Sequence, residues 1–531
     1  MGGNPSKSDP MELHSQSKWP AKAVVALVLM LIAIRLPMLG NPLLDHYSFR
    51  QTQTAITAYW FAQEGIKLPD YPLPVLGRPW TCPLEFPTFQ FLVCGLDLLG
   101  LSIDRAARLA AVLVFAACVL VAVRMFDRLG SARGTLLSFL GFCALSPFAI
   151  VWSRACLVDY TSVLLSLLYL AICLQVASKG WTARGVVLAT LIGSLAAVTK
   201  VTTLPIYWAP VFLVALDSVW QTVAGIRRRS SSSEGRQYRE AVGPLLQWAV
   251  VLLVPLVCAV VWTHVSDAVK AASPATSWLV SDALGKWNFG SWEQRFALKS
   301  WETVTRRIQD VVVPFLWPLV LYGIVALFRQ PRALVLAVAG LVLGSLATVL
   351  VFTNLYVVHD YYLCAITLPI WFLAALGLSE LGGYYKAQAW KAGCHASAML
   401  LMAVVSATSG YVAPSYDYKA GLASELLADQ IIPFCEKVKG KVPADQEILV
   451  FGDDWNPRIP YYARRKALMV KEEFIPDSLV SEYVATNRVR FVVARAGWFK
   501  RVHALWPEAR KISTEGHFAL FEVPVPAVTQ E

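Results

Sequence analysis

Apolar residues dominate positions 1–412, in long runs that short polar connectors separate. A helix needs about 20 apolar residues to cross a bilayer core that is roughly 30 Å thick. On this criterion the pattern predicts about eleven membrane-spanning helices. The predicted spans lie near 23–40, 107–123, 134–152, 160–177, 184–199, 203–218, 244–263, 311–328, 333–352, 363–379 and 394–412.

Basic residues in the connectors predict which ends of these helices face the cytoplasm. Lys18 and Lys22 precede the first span, and the connector 226–240 holds the densest basic group. Because cytoplasmic loops carry an excess of Lys and Arg, we expect a cytoplasmic N-terminus. Residues 41–105 then form a long outer loop, and an odd number of spans places the chain after residue 412 outside as well. The outer segment 264–310 departs from this rule, which is weaker in longer loops, through Lys286, Arg295, Lys299, Arg306 and Arg307.

The first outer loop contains two segments that fit interfacial helices. In 43–65, LLDHYSFRQTQTAITAYWFAQEG, Ser48 is placed as an N-cap and Gly65 as a stop. Aromatic residues recur there at helical spacing with polar residues between them, so we expect this helix to lie on the membrane with its aromatic face in lipid. The segment 86–100 contains Asp97 and is too short to span, which predicts a second interfacial helix.

The chain changes character near residue 413. A helical pattern, ASELLADQIIPFCEKV, is followed by the apolar runs EILVFG and RFVVAR and by the closing HFALFEVPV. Helix and strand patterns that alternate in this way are typical of a small α/β layer domain. We therefore predict an all-α polytopic membrane domain over 1–412 and a soluble α/β domain over 413–531 on the outer side.

Composition agrees with this division. The chain is 56% hydrophobic and only 16% charged, whereas soluble proteins have about 25% charged residues. Its net charge of +11 follows from the basic connectors, so it points to a membrane rather than to nucleic acid. The ten cysteines form no Cys/His zinc pattern, and several lie in apolar runs as small apolar side chains. The expected partners therefore include membrane lipids and exclude nucleic acid.

Ionisable residues beside a membrane cost free energy, so the places where they gather are informative. Each candidate has a structural alternative: a helix cap or a local ion pair for the acidic and arginine side chains, an interfacial position for the lysine, and an aromatic belt for the tyrosines. In the predicted topology they all collect at the outer ends of the spans, and a shared outward-facing cavity explains them together. The candidates are Asp45, Arg50, Glu85, Arg154, Asp159, Lys200, His359, Asp360, Tyr361 and Tyr362.

Such a cavity has a natural chemistry. Lys and Arg neutralise a phosphate well, and a carboxylate beside them can act as general base towards a hydroxyl. If a phosphate-bearing lipid is the leaving group, cations in a dry site stabilise its developing charge, and Lys200, Arg154 and Arg50 are the candidates. No dense carboxylate cluster calls for a metal. We predict no cofactor and no metal ligands, with a divalent ion left open.

The ordered motifs carry a resemblance to a known class. They are LLDHYSFRQTQTA, PLEFPTFQFL, DRAARLAAVL, SRACLVDYTSVLL, AAVTKVTTLPIY and VVHDYYLCAITLP. In this order they resemble GT-C membrane glycosyltransferases, and most closely the superfamily of protein O-mannosyltransferases and lipid A aminoarabinose transferases, with its dolichyl-phosphate-mannose-mannosyltransferase-like members. The resemblance implies transfer of a sugar from a polyprenyl-phosphate carrier to an acceptor hydroxyl, with inversion, on the periplasmic side of a bacterial inner membrane. The acceptor would be a lipid, a glycan or a protein.

The resemblance also implies roles for particular residues. Asp45 matches the first-loop aspartate that acts as base, and Asp159 matches the second acidic position, which orients substrates. Lys200 matches the lysine near the carrier phosphate, and His359 with Tyr362 matches a late outer loop that faces the same pocket. The sequence departs from some relatives because a lone Asp45 precedes a histidine where they have two adjacent acidic residues.

Two other functions compete with this one. A transporter or lipid-carrier flippase usually shows broken helices in paired halves and charges near the bilayer midplane, whereas the charges here gather at outer ends. A structural or assembly protein would work mainly through the outer domain, where the loop 453–466, DDWNPRIPYYARRK, could bind a polysaccharide. Substitution of Asp45 by asparagine separates an enzyme, which loses activity, from a scaffold, which tolerates the change.

Overall fold

The computed structural model describes residues 21–228, 234–383, 388–408 and 430–524. The part before residue 409 is helical, with loops and single turns between the helices. Its helices are α1 (Ala21–Ala33), α2 (Ser48–Glu64), α3 (Thr88–Leu98), α4 (Ile103–Arg128), α5 (Arg133–Leu145), α6 (Pro147–Trp152), α7 (Asp159–Lys179), α8 (Ala183–Thr199), α9 (Leu204–Arg228), α10 (Glu234–Ala271), α11 (Gly285–Phe289), α12 (Trp292–Phe296), α13 (Leu298–Arg307), α14 (Trp317–Leu327), α15 (Arg332–Val351), α16 (Thr353–Val358), α17 (Thr367–Gly383) and α18 (Gln388–Ala407).

Each predicted span coincides with a helix. Within the described residues, five helices are long and apolar enough to cross a membrane alone: α4, α7, α15, and the parts Leu204–Ala224 of α9 and Val242–Ala271 of α10. A sixth span arises if Leu298–Val312 and α14 count as one element despite the 100° bend between them. The remaining apolar helices are shorter. The helical membrane architecture is therefore confirmed, while the number of eleven crossings stays a prediction.

Prolines divide helices that the apolar pattern alone joins. The predicted span 134–152 is two helices, because Pro147 lacks an N–H and forces Ser146 before it into an extended conformation with ψ 130°. The Ser146 hydroxyl then donates to the carbonyl of Val312 at 2.9 Å. Pro37 lies similarly in the single turn Leu36–Met38 that follows α1, so the first helix ends at Ala33.

Contrary to the prediction, protein covers the aromatic face of helix α2. Ten of its residues are buried, and they include polar ones such as Gln51 and Thr52. Its aromatic residues contact the C-terminal part of the chain: the Phe49 ring lies 4.9 Å from that of Trp455, and the Arg464 guanidinium lies 4.2 Å from the Tyr59 ring. The aromatic residues of a helix have the same spacing in the sequence whether lipid or protein covers them. Ser48 is the first helical residue rather than a side-chain cap, and Gly65 ends the helix with φ 83° as predicted.

The C-terminal part is an α/β domain, as the alternating pattern predicts. Its five-stranded sheet has the order β2-β1-β3-β5-β4. Strands β2, β1 and β3 are parallel, and β5 pairs antiparallel with both β3 and β4. The strands are β1 (Ile448–Phe451), β2 (Ala467–Val470), β3 (Phe491–Arg495), β4 (Arg510–Glu515) and β5 (Phe518–Glu522), and the helices are α19 (Ile431–Lys441), α20 (Arg458–Ala463), α21 (Asp477–Asn487) and α22 (Phe499–Leu505). The predicted boundary at 412/413 lies outside the described residues.

The first loop of the membrane part extends this sheet. The Ala467 N–H donates to the Pro74 carbonyl at 3.0 Å, and the Met469 N–H donates to the Val75 carbonyl at 2.9 Å. In return the Gly77 N–H donates to the Ala467 carbonyl at 3.1 Å. Strand β2 would otherwise be a sheet edge with unpaired backbone groups. The loop therefore covers the edge and ties the two parts of the chain together.

An apolar core also crosses from one part to the other. One cluster of buried side chains joins Leu43 and Ile56 of the first loop to Phe434 and Tyr461 of the C-terminal domain. At its border the Tyr462 hydroxyl accepts a hydrogen bond from the Leu43 N–H at 2.7 Å. The C-terminal domain thereby holds the start of the loop that carries several candidate site residues.

Candidate active site

Six of the predicted residues meet around one small cavity. It lies where the first turn of α2, the loop before α3, the start of α7, the residue after α8 and the single turn Asp360–Ala365 come together. Its free volume is about 20 Å³, which is room for one water molecule. The lining residues are Arg50, Gln53, Thr54, Glu85, Leu157, Val158, Asp159, Lys200, Tyr361 and Tyr362.

A buried ion pair forms one wall of the cavity. The Lys200 Nζ donates to the Asp159 Oδ1 at 2.5 Å, and the two side chains are only 6% and 5% exposed. Asp159 is the first residue of α7. Burial raises the pKa of Asp159, while Lys200 and the positive end of the helix dipole favour its carboxylate form. Burial lowers the pKa of Lys200, but Asp159 and Glu85 outweigh it, so the pKa lies above its ordinary value. The lysine is therefore a fixed cation.

Two tyrosine rings lie against this cation. The Lys200 Nζ is 4.3 Å from the centroid of the Tyr362 ring and 5.2 Å from that of Tyr361. A ring face attracts a cation, and more strongly when water is excluded. The two tyrosines were predicted from their place at the outer end of a span, with an aromatic belt as the alternative, and the structure places both rings against the lysine.

Arg50 and Glu85 line the cavity beside the ion pair. Arg50 donates to the Gln53 side-chain oxygen at 2.6 Å. Burial lowers the pKa of Arg50, yet Tyr361 and Glu85 raise it above its ordinary value. The cavity thus carries two cations and two carboxylates, brought together from segments that lie far apart in sequence.

The backbone of Glu85 is fixed on several sides while its side chain is half-buried. The Tyr71 hydroxyl donates to the Glu85 carbonyl at 2.7 Å and accepts from the Leu84 N–H at 2.7 Å. The Phe86 N–H donates to the Val198 carbonyl at 2.9 Å. These bonds hold the carboxylate at the cavity without using its oxygens.

His359 and Asp360 flank the cavity without lining it. The Asp360 Oδ2 lies 3.2 Å from the His46 Nε2. The His359 ring stacks on Tyr361, with centroids 5.1 Å apart. Burial and the nearby cations Arg50 and Lys200 lower the pKa of His359 to about 4. The imidazole is therefore neutral at neutral pH.

The lowered pKa predicts a pH-dependent stability. In the unfolded chain His359 binds its proton near pH 6.5, while the folded protein resists protonation until about pH 4. The stabilisation is therefore complete above pH 6.5 and is lost as the pH falls towards 4. We expect His359→Gln to flatten this part of the curve of melting temperature against pH, measured in detergent. Exposed His517→Gln is the control, and equal slopes for His359→Gln and wild type would contradict the expectation.

Asp45 lies outside the cavity lining. Its carboxylate accepts from the Gln51 Nε2 at 2.6 Å and from the Arg108 Nη2 at 3.2 Å. Arg108 is fully buried and also donates to the carbonyl of Asn41 at 2.9 Å. The geometry assigns Asp45 to an ion pair that locks the start of the first loop. The role of base that the resemblance implies for it stays a prediction.

Arg154 is also buried away from the cavity lining, at 2% exposed. It lies in the turn between α6 and α7, and its carbonyl accepts from the Arg108 Nη1 at 3.4 Å. Sequence reasoning missed Gln53 and Thr54 as lining residues, and it missed Arg108. An arginine within the apolar helix α4 was a usable signal, because such a residue needs a buried partner. Nothing in the sequence pattern marked Gln53 or Thr54.

Metal ligands were not predicted. In the described ranges no group of three or more His, Cys, Asp or Glu side chains could hold a metal ion. The charged side chains that line the cavity are one lysine and one arginine, which can bind a phosphate, beside two carboxylates.

No protein-family model matches this chain, and no curated protein matches it significantly in sequence. Solved structures do match: the fold is that of GT-C glycosyltransferases, as the ordered motifs predicted. One is ArnT from Cupriavidus metallidurans bound to undecaprenyl phosphate, at 14% identity and a TM-score of 0.57, covering 95% of this chain and 98% of ArnT.

Two further structures share the fold. The oligosaccharyltransferase of Archaeoglobus fulgidus in its apo form gives 12% identity and a TM-score of 0.50, covering 92% of this chain and 71% of that one. The mycobacterial arabinofuranosyltransferase AftD gives 13% identity and a TM-score of 0.51, covering 97% of this chain but 42% of AftD. At these identities the likeness concerns architecture, and the chemistry has to be argued from the cavity.

Proposed function

We propose that this protein is an integral membrane glycosyltransferase that moves a sugar from a polyprenyl-phosphate donor to an acceptor hydroxyl, with inversion. The observation that carries the proposal is the meeting of Arg50, Lys200, Glu85 and Asp159 at one cavity. The ArnT structure, which has the same fold, holds undecaprenyl phosphate, and this supports a lipid phosphate as the leaving group.

The cations stabilise the leaving group. As the bond between the anomeric carbon and the phosphate oxygen breaks, its electron pair stays on that oxygen. Lys200 and Arg50 are charged and lie beside the cavity, so they stabilise the developing charge on that oxygen. Asp159 and Tyr362 keep the lysine in position.

A carboxylate takes the proton of the acceptor hydroxyl while its oxygen bonds to the anomeric carbon. Glu85 is our choice, because it lines the cavity and, in the described structure, the hydrogen bond at this residue uses its backbone carbonyl rather than its carboxylate oxygens. Asp45 is the competing choice from the resemblance. Because the acceptor attacks opposite the departing phosphate in a single displacement, the configuration at the anomeric carbon inverts.

The proposal includes a location. From the distribution of basic connectors we infer that the N-terminus lies in the cytoplasm and that the cavity and C-terminal domain lie on the opposite side. The resemblance implies that the membrane is a bacterial inner membrane, so that the opposite side is the periplasm. The acceptor would be a lipid, a glycan or a protein. The cavity has room for one water, so it must widen to admit the donor headgroup.

Purified protein supplied with polyprenyl-phosphate-linked sugars tests the proposal. We expect release of polyprenyl phosphate that depends on an added acceptor and gives a product of inverted configuration, with activity retained in a chelator. Lack of turnover across hexose and pentose donors, together with donor movement across reconstituted vesicles, would favour a flippase instead. Loss of activity in the chelator that a divalent ion restores would overturn the metal-free part.

A further inference from the structure

One segment between α10 and α14 exposes large apolar side chains beside basic ones. Residues 285–317 comprise α11, α12, α13, the π-helical turn Ile308–Val312 and the start of α14. Exposure reaches 87% at Leu298 and 70% at Trp292. Exposed apolar groups of this size mark a surface that something covers. The exposed residues are Trp287, Phe289, Trp292, Phe296, Leu298, Phe315 and Trp317.

The bend at the end of this segment identifies what covers it. Helix α14 is apolar, and its residues Leu321 and Val325 are more than half exposed, as expected of a helix in a bilayer. The stretch Leu298–Val312 makes an angle of 100° with α14. If α14 enters the bilayer, α13 therefore lies along its surface, in the position of an interfacial helix.

Helix α13 has the two faces that such a position requires. Ser300 and Val304 are buried against the protein, at 6% and 4% exposed. Lys299 and Arg306 are exposed together on another side of the helix, where Arg306 also pairs with Glu302 at 2.5 Å, and Leu298 begins the helix. The neighbouring α12 adds stacked rings of Trp292 and Phe296, 6.2 Å apart. Aromatic rings with basic residues beside them are typical of the boundary between headgroups and acyl chains.

The charge of the segment favours anionic lipid. Over 285–310 five basic residues face three acidic ones. The Arg295 guanidinium lies 4.5 Å from the centroid of the Trp292 ring, so a positive charge and an aromatic ring are exposed side by side. Basic residues at a membrane surface attract anionic headgroups. This accounts for the basic residues that depart from the rule for outer segments.

Hydrogen bonds attach the segment to α16, the helix that precedes the cavity-lining turn Asp360–Ala365. The Gln294 side chain donates to the Asn354 oxygen at 2.9 Å, and Asn354 donates to the Trp287 carbonyl at 2.7 Å. Arg307 donates to the carbonyls of Tyr356 and Val357 at 2.8 and 3.0 Å. These partners belong to α16, which directly precedes His359.

We propose that residues 285–317 form an interfacial anchor that binds the headgroups of anionic phospholipids in the leaflet nearest the cavity. Phosphatidylglycerol or a lipid of similar charge is the expected occupant. The anchor fixes α16, and through it the turn Asp360–Ala365, relative to the membrane surface. The proposal does not depend on the sugar-transfer activity.

The first test measures whether position 296 lies at the depth of the lipid headgroups. The full chain carrying Phe296→Cys is labelled with an environment-sensitive fluorophore in nanodiscs that contain lipids with a nitroxide near the headgroup. Described native cysteines are buried or half-buried, so the new thiol should react preferentially, with unsubstituted protein as the labelling background. We expect strong quenching at Phe296→Cys and little at Lys439→Cys on the C-terminal domain. Equal, weak quenching at both sites would overturn the proposal.

The second test measures headgroup charge. Delipidated full-length protein is titrated with phosphatidylglycerol or phosphatidylcholine, and bound lipid is counted by native mass spectrometry. We expect tighter binding of phosphatidylglycerol, weakened about thirtyfold in Lys299→Gln/Arg306→Gln, since the two charges together contribute about 2 kcal/mol at an anionic surface and about 1.4 kcal/mol is a factor of ten. Lys439→Gln/Lys441→Gln is the matched control. Equal binding of both lipids, or an equal loss in the control, would overturn the proposal.

Discussion

Replacing Lys200 with methionine should reduce sugar transfer by a factor of about 10²–10³, the usual loss when one preorganised charge at a developing anion is removed. The substitution keeps the length of the side chain but leaves the departing phosphate without its buried cation. It also leaves Asp159 without its ion-pair partner, and breaking a buried pair costs about 3–5 kcal/mol. Turnover with a polyprenyl-phosphate donor and the melting temperature in detergent should therefore fall together.

A second variant separates the two effects. Asp159→Asn/Lys200→Met removes both charges, so the destabilisation should largely disappear while activity stays low. Lys500→Met, at an exposed position of the C-terminal domain outside the cavity, is the control and should leave both measurements near wild type. If the double variant regained turnover within tenfold of wild type, Lys200 would have only a structural role.

Glu85→Gln should lower turnover by a factor of about 10²–10⁴, because a general base is lost. Its melting temperature should fall less than that of Asp45→Asn, because the half-buried Glu85 stabilises Arg50 and Lys200 through charge alone in the described structure. Asp45→Asn should lower the melting temperature strongly and leave turnover nearly unchanged. Its carboxylate pairs with fully buried Arg108, so neutralising it should destabilise the fold by about 3–5 kcal/mol. Both measurements use the purified protein under identical conditions.

The pair of variants decides which carboxylate takes the proton. Asp445→Asn, at an exposed site on the C-terminal domain, controls for a general effect of losing one negative charge. If Asp45→Asn abolished turnover at an unchanged melting temperature and Glu85→Gln stayed active, the assignment would pass to Asp45, as the resemblance implies.

The sequence predicts the architecture well because apolar length is a strong signal. Every predicted span coincides with a helix, and the alternating pattern after residue 447 forms a parallel sheet with an antiparallel edge. Breaks such as the one at Pro147 change the number of helices without changing the apolar run. The count of crossings depends on which of the shorter apolar helices cross the bilayer.

The cavity was partly predictable for a similar reason. Residues such as Asp159 and Lys200 are costly at a membrane, so their positions at the ends of spans are informative. The partner of Asp45 was not predictable, since Arg108 lies 63 positions away and any of several basic residues could have met it. The surroundings of α2 were missed because an aromatic face has the same spacing whether lipid or Trp455 covers it.

Residues 74–77 pair with β2 through backbone hydrogen bonds. The C-terminal domain and this stretch of the first loop therefore have to be kept together when the protein is truncated or recombined. A fragment that begins at residue 430 would carry an open strand that readily recruits other chains, so we expect it to self-associate when produced alone. A chimaera that receives this domain from a relative would need the matching stretch of the first loop as well. Evolutionary change in either piece is therefore expected to be accompanied by change in the other.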